Sequence, residues 1–189
     1  MIPAGYMRKR VATGNLDFYG PAVKEIYSVS GCISEDFADY VEFCRYNGYW
    51  FFDAPRIIEE LAEEHHIDLF AMTLFYYDVY EEEFDEHSRR WTPLVPDEAF
   101  STNVVVPREK KIKGFDVVTF SVKTMPECSP LSCNGLAKEV SVNKHCLFNT
   151  FEEAKHALEK GLFDNSEPGP FRIFAVYVPC AGGVNLVSG

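Results

Sequence analysis

Basic residues are scarce in this sequence. Eighteen Lys and Arg stand against 29 Asp and Glu, which gives a formal net charge of −11. Such a surface repels phosphate backbones and anionic headgroups, so the composition argues against nucleic-acid and membrane partners. It is compatible with a protein partner, in particular a basic one.

Long hydrophobic runs and familiar catalytic patterns are also missing. No apolar stretch approaches the roughly 18 residues that span a bilayer, and no apolar segment follows the basic start to complete a signal peptide. We therefore expect a cytoplasmic protein whose six cysteines are thiols and not a disulfide framework. The GxGxxG, Walker, HExxH, GxSxG and EF-hand patterns are absent, so the sequence indicates no cofactor.

Aromatic residues are abundant, with 16 Phe, 10 Tyr and 2 Trp. Hydrophobic residues make up 47% of the 189 positions, enough for a folded domain with a sizeable core. No Pro/Gly/Ser-rich linker divides the chain, and no internal repeat is visible. We expect an irregular segment over 1–22, one domain over 23–180 and a flexible tail over 181–189.

The hydrophobic pattern predicts an α+β fold with a mixed, largely antiparallel sheet of about five to seven strands and about three helices. Three strands that are apolar on both faces should share the sheet, at 72–84, 115–122 and 171–178. Helices at 54–66 and 150–160 should pack on it; Pro55 and a Thr150/Glu153 capping box mark their starts. The pattern also predicts strands at 23–30 and 49–52 and a helix at 35–47.

The segment Pro126–Gly135 is the most distinctive candidate site, because Cys128 and Cys133 gain little from packing in a polar loop. A cysteine-dependent enzyme would use one of them as nucleophile and His145 as base, with Glu127 or Asn134 orienting the histidine. The acidic neighbour and the scarcity of nearby cations predict ordinary or raised pKa values for Cys128 and Cys133.

Two other uses of these cysteines remain open. Zinc could be held by Cys128, Cys133 and either His145 or Cys146, with Cys180 as a fourth ligand. Free cysteines more often pack as small hydrophobic residues, and the sequence assigns that role to Cys32.

Two further groups are candidates. Glu81, Glu83 and Asp85 alternate along an extended segment and could hold a metal ion in a hydrolase, or form a solvated hairpin end. An aromatic set could form a binding surface or fill the core; it comprises Tyr46, Tyr49, Trp50, Tyr77, Tyr80 and Trp91.

The charge and the absence of a strong catalytic motif favour a small acidic binding protein of inhibitor, immunity or regulatory type. The cysteine-dependent enzyme is the alternative, and the metal-dependent hydrolase is third. The sequence indicates neither the partner nor the oligomeric state.

Overall fold

A computed structural model describes residues 1–40, 47, 49–94, 103–121 and 125–180. It has an α+β fold with one six-stranded sheet in which every strand pairing is antiparallel. The strands are β1 (Ile2–Lys9), β2 (Thr73–Val79), β3 (Glu82–Asp85), β4 (Arg90–Pro93), β5 (Lys110–Thr119) and β6 (Phe171–Pro179). The helices are α1 (Pro55–Glu64), α2 (Pro130–Cys133) and α3 (Phe151–Glu159). No helix in the described ranges is long and apolar enough to cross a membrane.

Strand β6 is the centre of the sheet. It pairs with β5 along its whole length, and with β2 and β3 along its other edge. Strand β1 pairs with β2, and β4 with β3. The three segments predicted to share a sheet therefore do so, although the single strand expected over 72–84 is divided into two, β2 and β3.

Both faces of the sheet are covered, as the two-sided apolar strands predicted. Phe174 and Val176 of β6 belong to a core that includes Ile58 of α1, whereas Ile173 belongs to a second core that includes Leu158 of α3. Successive strand residues point to opposite faces, which explains the division. The Thr150/Glu153 capping box of α3 is also present, with each side chain accepting from the other residue's backbone N–H.

Several local predictions need correction. The segment 1–22 is not irregular throughout, because Ile2–Lys9 forms an edge strand of the sheet. The segments 23–30 and 49–52 are not strands, and each makes only one isolated bridge. Of the helix expected at 35–47, Phe37–Tyr40 is a 3₁₀ turn, and 41–46 lie outside the described residues. The expected tail over 181–189 also lies outside them.

One local structure occurs twice, although no repeat is visible in the sequence. The Asn47 side chain donates to the Ala4 carbonyl of β1 and accepts from the N–H groups of Tyr49 and Phe51. The Asn143 side chain makes the same three kinds of bond, to Lys113 of β5 and to the backbone of His145 and Leu147. We call these two loops the Asn turns.

The match extends beyond the hydrogen bonds of the Asn turns. Trp50 and Cys146 occupy equivalent left-handed positions, with φ of 64° and 62°. Each turn packs on a bulge glycine of the preceding strand, Gly5 or Gly114, where an added Cβ would approach a backbone oxygen within 2.7 Å. A helix follows, and then a strand antiparallel to the first. The chain thus contains two β–loop–α–β halves, β1–α1–β2 and β5–α3–β6, joined by the β2–β6 pairing.

Candidate functional site

Three cysteine side chains meet between the two halves. The Sγ atoms of Cys32, Cys128 and Cys133 all lie within 4.8 Å of one another, and no disulfide joins them. In the part of the chain that the structure describes, this is the only group of three or more Cys, His, Asp or Glu ligand atoms so close together. We call it the thiol cluster.

A reciprocal serine pair brings the two segments of the thiol cluster together. The backbone N–H of Ser129 donates to Ser30 Oγ at 3.1 Å, and that of Ser30 donates to Ser129 Oγ at 3.3 Å. Cys32 lies two residues after Ser30, and Cys128 directly precedes Ser129. The short helix α2 then carries Cys133 back, so that its Sγ lies 3.6 Å from Ser30 Oγ.

A buried lysine supports the segment that carries Cys32. Lys9 Nζ donates to the carbonyl oxygens of Ser28, Val29 and Ser30 at 2.7–2.9 Å, and Asp36 lies 3.9 Å away. The Lys9 residue is only 1% exposed. Its ammonium group therefore fixes three consecutive carbonyls and places a positive charge near the thiols.

A buried carboxylate supports the same segment from β5. Asp116 accepts from the Val29 N–H at 2.8 Å and from Ser129 Oγ at 2.7 Å. Burial, which outweighs these hydrogen bonds and the attraction of Lys9, raises the pKa of Asp116 to about 6. Asp116 thus connects the Cys32 segment, through Ser129, with the loop that carries the other two cysteines.

The three thiols are hydrogen-bonded to one another, and these bonds shift their pKa values in different directions. Hydrogen bonds from Cys128, then from Cys133, hold the pKa of Cys32 well below its ordinary value. Hydrogen bonding with Cys133 and Cys32, together with burial, raises the pKa of Cys128. For Cys133, the bond from Cys128 lowers the pKa, but donation to Cys32 and burial outweigh it. The sequence predicted ordinary or raised pKa values for Cys128 and Cys133; both are raised, and the causes are the neighbouring thiols and burial, not the Glu127 carboxylate.

The thiol cluster opens onto a cavity of about 320 Å³. Cys32 is exposed, Cys133 is half-buried and Cys128 is 5% exposed. The other residues that line the cavity are Thr119, Ser121, Glu127, Asn134, Glu167 and Pro168. Cys128 Sγ lies 3.4 Å from the amide oxygen of Asn134, and Cys32 Sγ lies 2.9 Å from the carbonyl oxygen of Glu127.

His145 is not a member of the thiol cluster. Its ring stacks on Tyr27 with centroids 4.3 Å apart, and its Nδ1 lies 2.9 Å from Glu25 Oε1. Burial lowers the pKa of His145, while Glu25 opposes that shift. His145 occupies the place in its Asn turn that Tyr49 occupies in the other, which is a structural position.

The other cysteines proposed as zinc ligands also lie apart. Cys146 is buried in the second core, where burial raises its pKa to about 12. Cys180 is an exposed residue just after β6. Cys32, which the sequence assigned to packing, is the third thiol instead. The signal that could have identified it is its polar surroundings, Ser28, Ser30 and Gly31, which resemble the context used to select Cys128.

The carboxylates of Glu81, Glu83 and Asp85 do not converge on one point. Glu83 forms an ion pair with buried Arg172 at 3.0 Å, and Asp85 caps a turn by accepting from the Ser88 N–H. Glu81 lies 3.6 Å from the N-terminal amine. These carboxylates have separate partners and do not form a group that could hold one metal ion.

The candidate aromatic surface is also divided. Tyr49 and Tyr77 are core residues that solvent does not reach, and Trp50 is half-buried in its Asn turn. Tyr80 and Trp91 remain partly accessible and contact each other, with ring centroids 5.6 Å apart. Tyr46 lies outside the described residues.

Comparison with known proteins gives no further guidance. No family model, curated protein or solved structure matches this chain. Its function must be argued from the thiol cluster itself.

Proposed function

We propose that this protein binds a zinc ion through the thiolates of Cys32, Cys128 and Cys133. The observation that carries the proposal is the convergence of three thiols from two distant segments without a disulfide. Cys32 is exposed and gains little from packing, whereas thiolates are strong ligands for zinc. Zinc binding would explain why Cys128 and Cys133 lie together in the segment Pro126–Gly135.

The spacing of the sulfurs suits zinc. A tetrahedral zinc ion binds thiolates at about 2.3 Å, which places them about 3.8 Å from one another. Sulfurs already within 4.8 Å of one another need to approach by no more than about 1 Å. Small side-chain rotations would suffice.

The surroundings compensate the charge of such a site. Zinc with three thiolates carries one net negative charge, and the buried Lys9 ammonium lies beside the segment that leads to Cys32. Ser30 Oγ can donate to Cys133. The Asn134 amide, flipped by about 180° so that its nitrogen faces Cys128, can donate to that sulfur. Such outer hydrogen bonds orient ligands and adjust metal affinity.

The fourth position of the zinc ion would face the cavity. Catalytic and transfer sites commonly have three protein ligands and one open position, whereas structural sites have four protein ligands. Within the described residues, no fourth Cys, His, Asp or Glu joins the thiol cluster. We therefore assign the open position to water or to an incoming ligand.

Metal titration tests the proposal. Reduced, metal-free protein should take up one Zn²⁺ in competition with a chromophoric chelator, with a Kd below about 1 μM. Cobalt substitution should give thiolate-to-metal charge-transfer bands whose intensity reports three sulfurs. Serine at position 32, 128 or 133 should weaken binding by at least about 100-fold, the upper limit for losing an outer-shell partner.

Cys180→Ser is the matched control, because it removes an exposed thiol outside the cluster. It should bind zinc like the parent, and circular dichroism should show that every variant is folded. A parent that binds no zinc, or one that binds only Cu(I), would refute the assignment. So would equal weakening in Cys180→Ser.

Asn134 provides a milder test. Asn134→Ala should weaken zinc binding by about 10-fold, because the Cys128 thiolate would lose the amide group that can donate to it once flipped. The side chain is exposed, so its removal should not unfold the protein. Chelator competition measures the change, and an unchanged affinity would show that Asn134 does not orient Cys128.

The interaction-protein and cysteine-enzyme hypotheses stay predictions. Tyr80 and Trp91 form the accessible pair that a partner could contact, and the net charge of −11 would favour a basic one. An enzyme that uses His145 as base would need that ring to leave Tyr27 and Glu25.

A further inference from the structure

The three sulfurs of the thiol cluster differ in their access to solvent. Cys32 is exposed, whereas Cys128 and Cys133, the loop cysteines, are buried and half-buried. A dissolved oxidant therefore meets Cys32 first. Because both other sulfurs lie within 4.8 Å of it, an oxidised Cys32 has a thiol beside it that can react at once.

We propose that peroxide oxidation joins Cys32 to one of the loop cysteines and expels the zinc ion. This proposal rests on the zinc site proposed above and adds the regulation of that site. The oxidant is hydrogen peroxide or an alkyl hydroperoxide. The disulfide would remove two of the three ligands, and a single remaining thiolate cannot retain the metal.

The chemistry balances in two steps. The Cys32 thiolate attacks one peroxide oxygen, the O–O bond breaks, and hydroxide leaves and takes a proton to give water and a sulfenic acid. A loop thiolate then attacks the Cys32 sulfur and displaces hydroxide, which also becomes water. Two thiolates, one hydrogen peroxide and two protons thus yield one disulfide and two waters, and zinc leaves as the hydrated ion.

The geometry favours a disulfide over further oxidation. A sulfenic acid without a neighbouring thiol proceeds to irreversible sulfinic acid, whereas a resolving thiol captures it first. Joining sulfurs from within 4.8 Å requires side-chain rotation toward a bond of about 2.05 Å. The remaining cysteine stays beside the new disulfide, where a thiol reductant can restore all three ligands.

The experiment uses zinc-loaded protein treated with one equivalent of hydrogen peroxide. We expect one zinc ion to be released per disulfide formed, measured with a chromophoric chelator and intact mass spectrometry. Peptide mapping should place Cys32 in every disulfide, and a thiol reductant should restore zinc binding. Cys180→Ser, zinc-loaded in the same way, should behave like the parent.

Each alternative outcome overturns one defined statement. Failure of the untreated protein to hold zinc would refute the zinc site and, with it, this proposal. If the untreated protein holds zinc, three results would refute the redox step alone. They are zinc retained after disulfide formation, a Cys128–Cys133 disulfide, and sulfinic acid at Cys32 as the main product.

Discussion

Replacing Lys9 with methionine should lower the free energy of unfolding by about 3–5 kcal/mol. Methionine keeps the unbranched apolar part of the side chain but removes its charge and its donors. Three carbonyl oxygens, those of Ser28, Val29 and Ser30, would then lose the buried ammonium that satisfies them, and Asp36 would lose a nearby cation. Buried acceptors without donors are costly, and a buried charge without its partner is more so.

Urea denaturation of both proteins measures this loss. Lys24→Met is the matched control, because Lys24 also donates to a carbonyl oxygen, that of Pro21, but from an exposed position. Its effect should stay within about 0.5 kcal/mol. Lys9→Met should also weaken zinc binding at temperatures at which the variant is still folded, because the segment that carries Cys32 would lose the hydrogen bonds that Lys9 donates to it. A loss in Lys9→Met as small as that of the control would contradict the role assigned to Lys9.

Replacing Asp116 with asparagine should make the protein more stable, relative to the parent, as the pH rises. Burial, opposed by hydrogen bonds from Val29 and Ser129 and by Lys9, raises the pKa of Asp116 from 3.8 to about 6. Between these values the folded protein holds the proton more tightly than the unfolded chain does. The parent therefore loses stability as the pH rises from about 4 to about 6, by up to about 3 kcal/mol.

Asparagine does not titrate, so the variant does not undergo this loss. From about pH 4 to about pH 6, the difference in free energy of unfolding between variant and parent should therefore shift in the variant's favour by up to about 3 kcal/mol. Denaturation at pH 4 and pH 7 measures this shift. Any effect of the substitution that does not depend on pH is the same at both values and cancels. Asp85→Asn should show no comparable shift between pH 4 and pH 7, because hydrogen bonds from Ser88 lower the pKa of Asp85 from 3.8, so that this carboxyl titrates below the range measured. A difference for Asp116→Asn that does not change with pH would show that Asp116 does not titrate in this range.

Elements governed by local chemistry could be predicted from the sequence. The start of α3 follows from the Thr150/Glu153 capping box, and that of α1 from Pro55, whose missing N–H would have had no partner in the first turn. The three central strands follow from their two-sided apolar pattern. These signals lie within a few residues of the element that they specify.

The edge strand β1 could not be predicted in the same way. Its sequence, IPAGYMRK, contains Pro3 and Gly5, which usually mark turns. Pro3 is tolerated at the edge of the sheet, and Gly5 forms a bulge that allows the first Asn turn to approach. Tertiary packing thus overrides the local signal.

The thiol cluster was only partly accessible from the sequence. Cys128 and Cys133 stood out because they share one short loop. Their association with Cys32 depends on the Ser30–Ser129 pair, which joins residues 99 positions apart. His145, chosen for its closeness in sequence to Cys133, lies outside the thiol cluster, and its ring stacks on Tyr27 instead.

The two similar β–loop–α–β halves also could not be predicted from the sequence. Between the two Asn turns, 47–55 and 143–151, only the asparagine and one phenylalanine, Phe52 or Phe148, recur. What is shared is a set of backbone hydrogen bonds, and many side chains are compatible with it. Two similar loops can therefore differ at nearly every letter.

The division of the chain into two halves has a consequence for fragments. Cys32 belongs to the connection between β1 and α1, whereas Cys128 and Cys133 belong to the corresponding connection between β5 and α3. A proteolytic or recombinant piece limited to the first half carries one sulfur of the set, and a piece limited to the second carries two. Neither piece contains the complete ligand set, so only a chain that includes both connections can assemble all three thiolates around one ion.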